Sequence, residues 1–120
     1  MSTKNLLGKQ GEVLASQFLQ QKGYTIIETN WRCRYGEVDI IACLNNVWVF
    51  VEVKTRRGTK TEDAFLNITP QKQQKFIKTV QVYCSQHQLE EINWRIDAIA
   101  VVIQHNGQPL IEHVEDAFDW

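Results

Sequence analysis

Gly36-Glu37-Val38-Asp39-Ile40-Ile41 and Phe50-Val51-Glu52-Val53-Lys54 carry the alternation that decides how this chain folds. Val38, Ile40, Val51 and Val53 alternate with polar residues, the period-two pattern of half-buried strands. Between the segments stands Asn45-Asn46, a pair that tolerates the positive φ of a tight hairpin. With those two residues as the loop, cross-strand partners have numbers that sum to 91. Asp39 then falls opposite Glu52, and Glu37 opposite Lys54. Directly opposed Cβ atoms lie about 4.5–5.5 Å apart, and two carboxylates that close repel unless a cation sits between them. Hard oxygen ligands with room left for water and phosphate are what Mg²⁺ takes. Lys54 points from the same face as Glu52, roughly 6–7 Å along the strand. An ion pair between Lys54 and Glu37 is the structural alternative for both residues, and it is compatible with a chemical role for the lysine.

Helical periodicity brackets this hairpin. Leu7, Gly11, Leu14, Ala15, Phe18 and Leu19 form an apolar stripe that predicts a helix over 4–22, with Ser2 or Thr3 as its cap and Gly23 past its end. Tyr24–Thr29 reads as a short strand, and Asn30–Tyr35 as a connection rich in arginine and aromatics. Arg56–Asn67 reads as a mobile loop. Thr69-Pro70 opens a second helix that runs to His87, a capping hydroxyl followed by proline at the first helical position. Trp94–Ile103 is a strongly apolar, central strand. Asn106-Gly107 marks a turn, and Pro109–Val114 a closing edge strand. The order α-β-β-β-α-β-β describes an α/β domain, a mixed sheet flanked by helices. A chain of 120 residues suits one domain, residues 1–120.

Composition narrows the function. The net charge is −1, but residues 1–78 hold 12 Lys/Arg against 7 Asp/Glu, whereas residues 79–120 hold 1 against 7. One basic face and one acidic edge follow. Cys33, Cys43 and Cys84 are odd in number and lack a C-x-x-C pair, and His87, His105 and His113 lack metal-ligand spacing, which excludes a disulfide framework and a zinc site. Cys43 and Cys84 read as small core residues, and His87 as the end of a helix. No signal peptide or membrane-length apolar run is present, so a cytoplasmic protein without a membrane partner is expected, and the sequon at Asn67 has no meaning there.

Asp39 with Glu52-Val53-Lys54 resembles the PD-(D/E)xK nuclease superfamily, whose fold is restriction-endonuclease-like. Gly11-Glu12, Asn30-Trp31-Arg32, Gly36-Glu37-Val38-Asp39, Phe50-Val51-Glu52-Val53-Lys54-Thr55-Arg56, Lys72 and Arg95-Ile96-Asp97 together resemble the bacterial YraN family, uncharacterised protein family 0102, considered similar to Holliday-junction resolvases. The likeness implies Asp39, Glu52 and the backbone carbonyl of Val53 as ligands of Mg²⁺ or Mn²⁺. It implies Lys54 as the residue that positions water and offsets phosphate charge, and Glu12 as a carboxylate near the metal, where a solvated helix residue is the default. Val38 stands where the superfamily often has proline.

The implied activity is a Mg²⁺-dependent endonuclease hydrolysing phosphodiester bonds in DNA, with branched DNA favouring a two-fold homodimer. The alternative is a non-catalytic nucleic-acid-binding or adaptor module that keeps the nuclease fold. A regulatory protein acting through its acidic C-terminal segment is a third reading. Arg32, Arg34, Arg56, Arg57 and Lys72 are the candidate phosphate contacts, which position without reading sequence. Trp31 and Tyr35 are candidates for base stacking or for core packing. Asp97 and Arg95, on one face of a buried strand, are expected to form an anchoring ion pair.

Overall fold

The computed structural model describes residues 3–66, 68–89 and 91–118. Of the two expected helix caps, Thr3 falls inside the helix, while Ser2, the sequon asparagine and the last two residues of the acidic tail lie outside the described structure. Eight elements follow in order: α1 (Thr3–Gln21), β1 (Thr25–Cys33), β2 (Gly36–Leu44), β3 (Val47–Arg57), α2 (Glu62–Phe65), α3 (Pro70–Gln86), β4 (Asn93–Ile103) and β5 (Pro109–Val114). They build one five-stranded sheet, ordered β1-β2-β3-β4-β5. β3 and β4 run parallel, and every other neighbouring pair is antiparallel.

The hairpin has the expected register. Ile40 pairs with Val51 and Leu44 with Val47, around Asn45 and Asn46 at φ 52° and 66°. Positive φ at both loop residues matches the strand twist. β3 then serves both layers. Val49, Val51 and Val53 pack with Ala15 and Leu19 of α1. Phe50 packs with Phe76, Ile77, Val80 and Tyr83 of α3. Each Val, Ile or Phe withdrawn from water in this way contributes about 1.5–3 kcal/mol. Thr69 caps α3 through its hydroxyl, which accepts from Lys72 N–H at 3.2 Å. His87 closes the helix, stacked on Tyr83 with ring centroids 3.9 Å apart. Cys84 is buried as expected, while Cys43 is only half-buried.

Two segments depart from the sequence reading. β1 continues through Cys33, and Trp31, Arg32 and Cys33 pair with Val38, Glu37 and Gly36. The register shifts between Ile26 and Glu28, and Asn30 lies farther along the strand at φ 55°, which an asparagine tolerates at modest strain. The stretch read as a mobile loop contains the end of β3 and the single turn α2. Its Ala64 is 1% exposed and packs on Ala100 and Val102 of β4. One alanine on a buried seat is too small a signal for periodicity to reveal.

Candidate functional site

The site forms where the β2–β3 ladder ends. The last backbone pair is Ile40 with Val51. Beyond it, the side chain of Asp39 takes over: its Oδ2 accepts from Val53 N–H at 2.8 Å. Val38 and Ile40 are two residues apart yet pack into different layers, Val38 toward α3 and Ile40 toward α1. The alternation of β2 therefore breaks at Asp39, and the carboxylate lies where the two layers meet.

Helix α1 reaches this place because Gly11 has no side chain. A Cβ on Gly11 would stand 1.8 Å from Thr55 Oγ1, so the helix backbone rests directly on β3. The next residue is Glu12. Glu12, Glu37 and Asp39 each present a carboxylate oxygen within 4.8 Å of the others. Glu52 and Lys54 continue the Phe50 face of β3, and Lys54 Nζ holds Glu52 Oε1 at 2.9 Å. Val53 contributes its N–H to Asp39.

Charge is concentrated here at a cost. Burial, reinforced by the neighbouring Glu52 carboxylate, pushes the Asp39 carboxyl up to about 8. Burial also raises Glu52, against the opposing pull of Lys54. Glu12 is raised by burial, with Glu37 and Glu52 adding to the effect and Asn30 and Arg32 opposing it. The rise of the Asp39 carboxyl is opposed by the Val53 N–H and by no counter-charge among its causes. A group of hard, anionic oxygens fits a divalent cation such as Mg²⁺ or Mn²⁺ better than any soft metal.

Glu37 is the residue that the hairpin register misassigned. Extending the ladder set it opposite Lys54 as an ion-pair partner. The pairing stops short, Lys54 folds back along its own strand to Glu52, and Glu37 joins the carboxylate group while meeting Arg32 Nε at 3.3 Å. Its spacing of two residues from Asp39 is the signal that could have found it.

The five basic candidates do not share one surface. Lys72 lines a cleft of about 200 Å³ together with Glu37, Glu52 and Lys54. Arg32 is at the carboxylate group, and Arg34 lies over the ring of Tyr35 at 5.2 Å. Arg56 donates to the Asp63 carbonyl at 2.9 Å, while Arg57 lines a separate hollow with Gln104 and His105. Trp31 packs edge-on against Tyr83 at 5.1 Å, which makes it part of the core wall.

Asp97 is fully buried and forms the expected anchor. Arg95 Nε donates to its Oδ1 at 2.9 Å, His113 Nε2 meets Oδ2 at 2.7 Å, and Asp116 N–H donates to Oδ1 at 3.0 Å. Burial alone would raise this carboxyl, but the hydrogen bonds outweigh it and hold it below the usual range. Among the described residues no helix is long and apolar enough to cross a membrane.

Comparison with known proteins returns one family. The model of uncharacterised protein family UPF0102 matches residues 11–101. A UPF0102 protein of Geotalea daltonii is 41% identical over 113 residues, which cover 94% of this chain and 89% of the relative. One from Pseudarthrobacter chlorophenolicus is 37% identical over 120 residues, with 100% and 91% coverage. One from Rhodococcus opacus is 43% identical over 112 residues, with 93% and 95% coverage.

Proposed function

The chain belongs to uncharacterised protein family UPF0102, and from that premise we propose that it is a divalent-cation-dependent nuclease that hydrolyses phosphodiester bonds in DNA. The observation that carries the reading is the convergence of Glu12, Glu37 and Asp39, from a helix and a strand, beside the Glu52–Lys54 pair. Glu12, Glu37 and Asp39 would hold the cation, with Glu52 completing the set once Lys54 turns toward phosphate. The bound cation supplies a more acidic water and a polarised phosphoryl oxygen. Lys54 is half-exposed on the cleft wall, and an ammonium has donors only. It can therefore donate to a non-bridging phosphate oxygen and offset the charge that develops there. Lys72 and Lys75, on the opposite wall, hold the flanking phosphates.

The test is cleavage of linear, nicked, flapped and four-way DNA with Mn²⁺, in wild type and Lys54→Ala at matched DNA occupancy. Loss of cleavage with retained cation binding is expected. The effect should be on the order of 10²–10⁴-fold, as for other positioned catalytic groups. Equal rates would show that any activity arises elsewhere. Absence of wild-type cleavage, together with salt-sensitive DNA binding, would return the protein to the binding-module class.

A further inference from the structure

The cleft beside the carboxylate group is built from two unlike halves. Ile68, Phe76 and Phe118 form an apolar floor, with Phe76 and Phe118 edge to face at 5.3 Å. Lys54, Lys72 and Lys75 stand around it, and Glu37 and Glu52 join it to the proposed cation site. Gly36 and Thr79 line it too, and a Cβ on Gly36 would come within 2.9 Å of Thr79 Oγ1. Thr79 is itself occupied, donating to the Lys75 carbonyl at 2.8 Å.

Size selects the occupant. A volume of about 200 Å³ is that of roughly seven waters at ~30 Å³ each, and it falls below the ~300–1,000 Å³ of drug-sized sites. One planar heterocycle fits and a base pair does not. An apolar, aromatic floor suits the face of a base, since such stacking works for every base. The lysines suit the phosphates on either side of it.

We infer that this cleft receives a single unpaired nucleobase next to the bond to be cut, so that the substrate is a strand with unstacked nucleotides and not continuous duplex. The inference rests on the nuclease reading for the class of polymer and deepens it. An unpaired strand enters without breaking base pairs, whereas a duplex must first unpair, unstack and extrude a nucleotide. The cut therefore falls where pairing ends, at flaps, junction arms or single strands.

The experiment is equilibrium binding of the whole chain in EDTA, where no cleavage occurs. The probes are a fluorescein-labelled ten-nucleotide oligothymidylate, a blunt twenty-base-pair duplex, and the oligonucleotide with one central 2-aminopurine. The single strand should bind at least tenfold tighter than the duplex, with a change in 2-aminopurine emission. Ile68→Trp, which fills the floor, should remove that preference and the emission change. Lys72→Ala/Lys75→Ala alters two exposed side chains and should make the salt slope of single-strand binding shallower by about 1.4, at ~0.7 per phosphate contact. Duplex binding as tight as single-strand binding would overturn the inference. So would an unchanged preference in a folded Ile68→Trp, or an unchanged salt slope in the double variant. Cleavage of the same oligonucleotide with Mn²⁺ is a separate readout and bears on the nuclease reading alone.

Discussion

Asp39→Asn should stabilise the cation-free protein. The carboxyl of Asp39 keeps its proton to about pH 8, because it is buried and faces Glu52. An unfolded chain releases that proton near pH 3.8. Between these values the folded state binds more protons, so the contribution of this group to stability falls as pH rises from about 4 to about 8. Each tenfold change in proton affinity is worth about 1.4 kcal/mol, which sets a ceiling near ~6 kcal/mol for the whole displacement. The repulsion is shared with Glu12, Glu37 and Glu52. Asparagine keeps an oxygen that can accept from Val53 N–H, so the strand junction survives. We expect a gain of about 1–3 kcal/mol at pH 8, a rise in thermal midpoint of roughly 4–12 °C for a domain of this size. Below pH 4 the gain should vanish. The assay is thermal unfolding in EDTA at pH 4, 6 and 8, repeated with Mn²⁺. The cation should stabilise the wild type by about 2.7 kcal/mol at a hundredfold excess over Kd, raising its midpoint, and should leave the midpoint of Asp39→Asn almost unmoved. A lower midpoint for Asp39→Asn at pH 8, or a gain independent of pH, would refute the electrostatic argument.

Gly11→Ala places a methyl on Thr55 and should cost about 1–3 kcal/mol by overpacking. Because Glu12 follows immediately, the stabilisation by Mn²⁺ should shrink with it, which paired melts with and without the cation would show. Asp97→Ala strips Arg95, His113 and the Asp116 N–H of their acceptor and should cost about 3–5 kcal/mol, as removal of one buried ionic partner does. Urea unfolding at pH 7 measures it, and a cost below 1 kcal/mol would show that the cluster is dispensable. The Asp97 carboxyl is held low, so its contribution is present above pH 4 and lost as acid protonates it. In an acid titration the wild type should therefore lose a component of stability that Asp97→Asn already lacks, so the gap between the two should narrow as pH falls below about 4.

Local rules in the chain were enough for most of the architecture. The Asn45-Asn46 pair demands positive φ, and that sets the register of β2 on β3. The spacing of Gly11, Ala15 and Leu19 defines the buried stripe of α1, and Thr69-Pro70 opens α3. Extending the same register nominates Asp39, Glu52 and Lys54, since alternate residues share a face, although no Asp39–Glu52 rung forms. Tertiary structure decided what lies beyond the last paired rung. A backbone ladder has a period that sequence can extrapolate, but it has no term for where pairing stops. At Asp39 a side chain replaces the rung, so Glu37 turns to the carboxylate group and Lys54 to Glu52. The position of Glu12 depends on how closely α1 settles on Thr55, a contact between residues 44 apart in the chain. The cleft needs Gly36 from one strand, Lys72 and Phe76 from a helix and Phe118 from the end of the chain. Periodicity governs neighbours a few residues apart, and only the folded packing of distant segments brings such groups to one place.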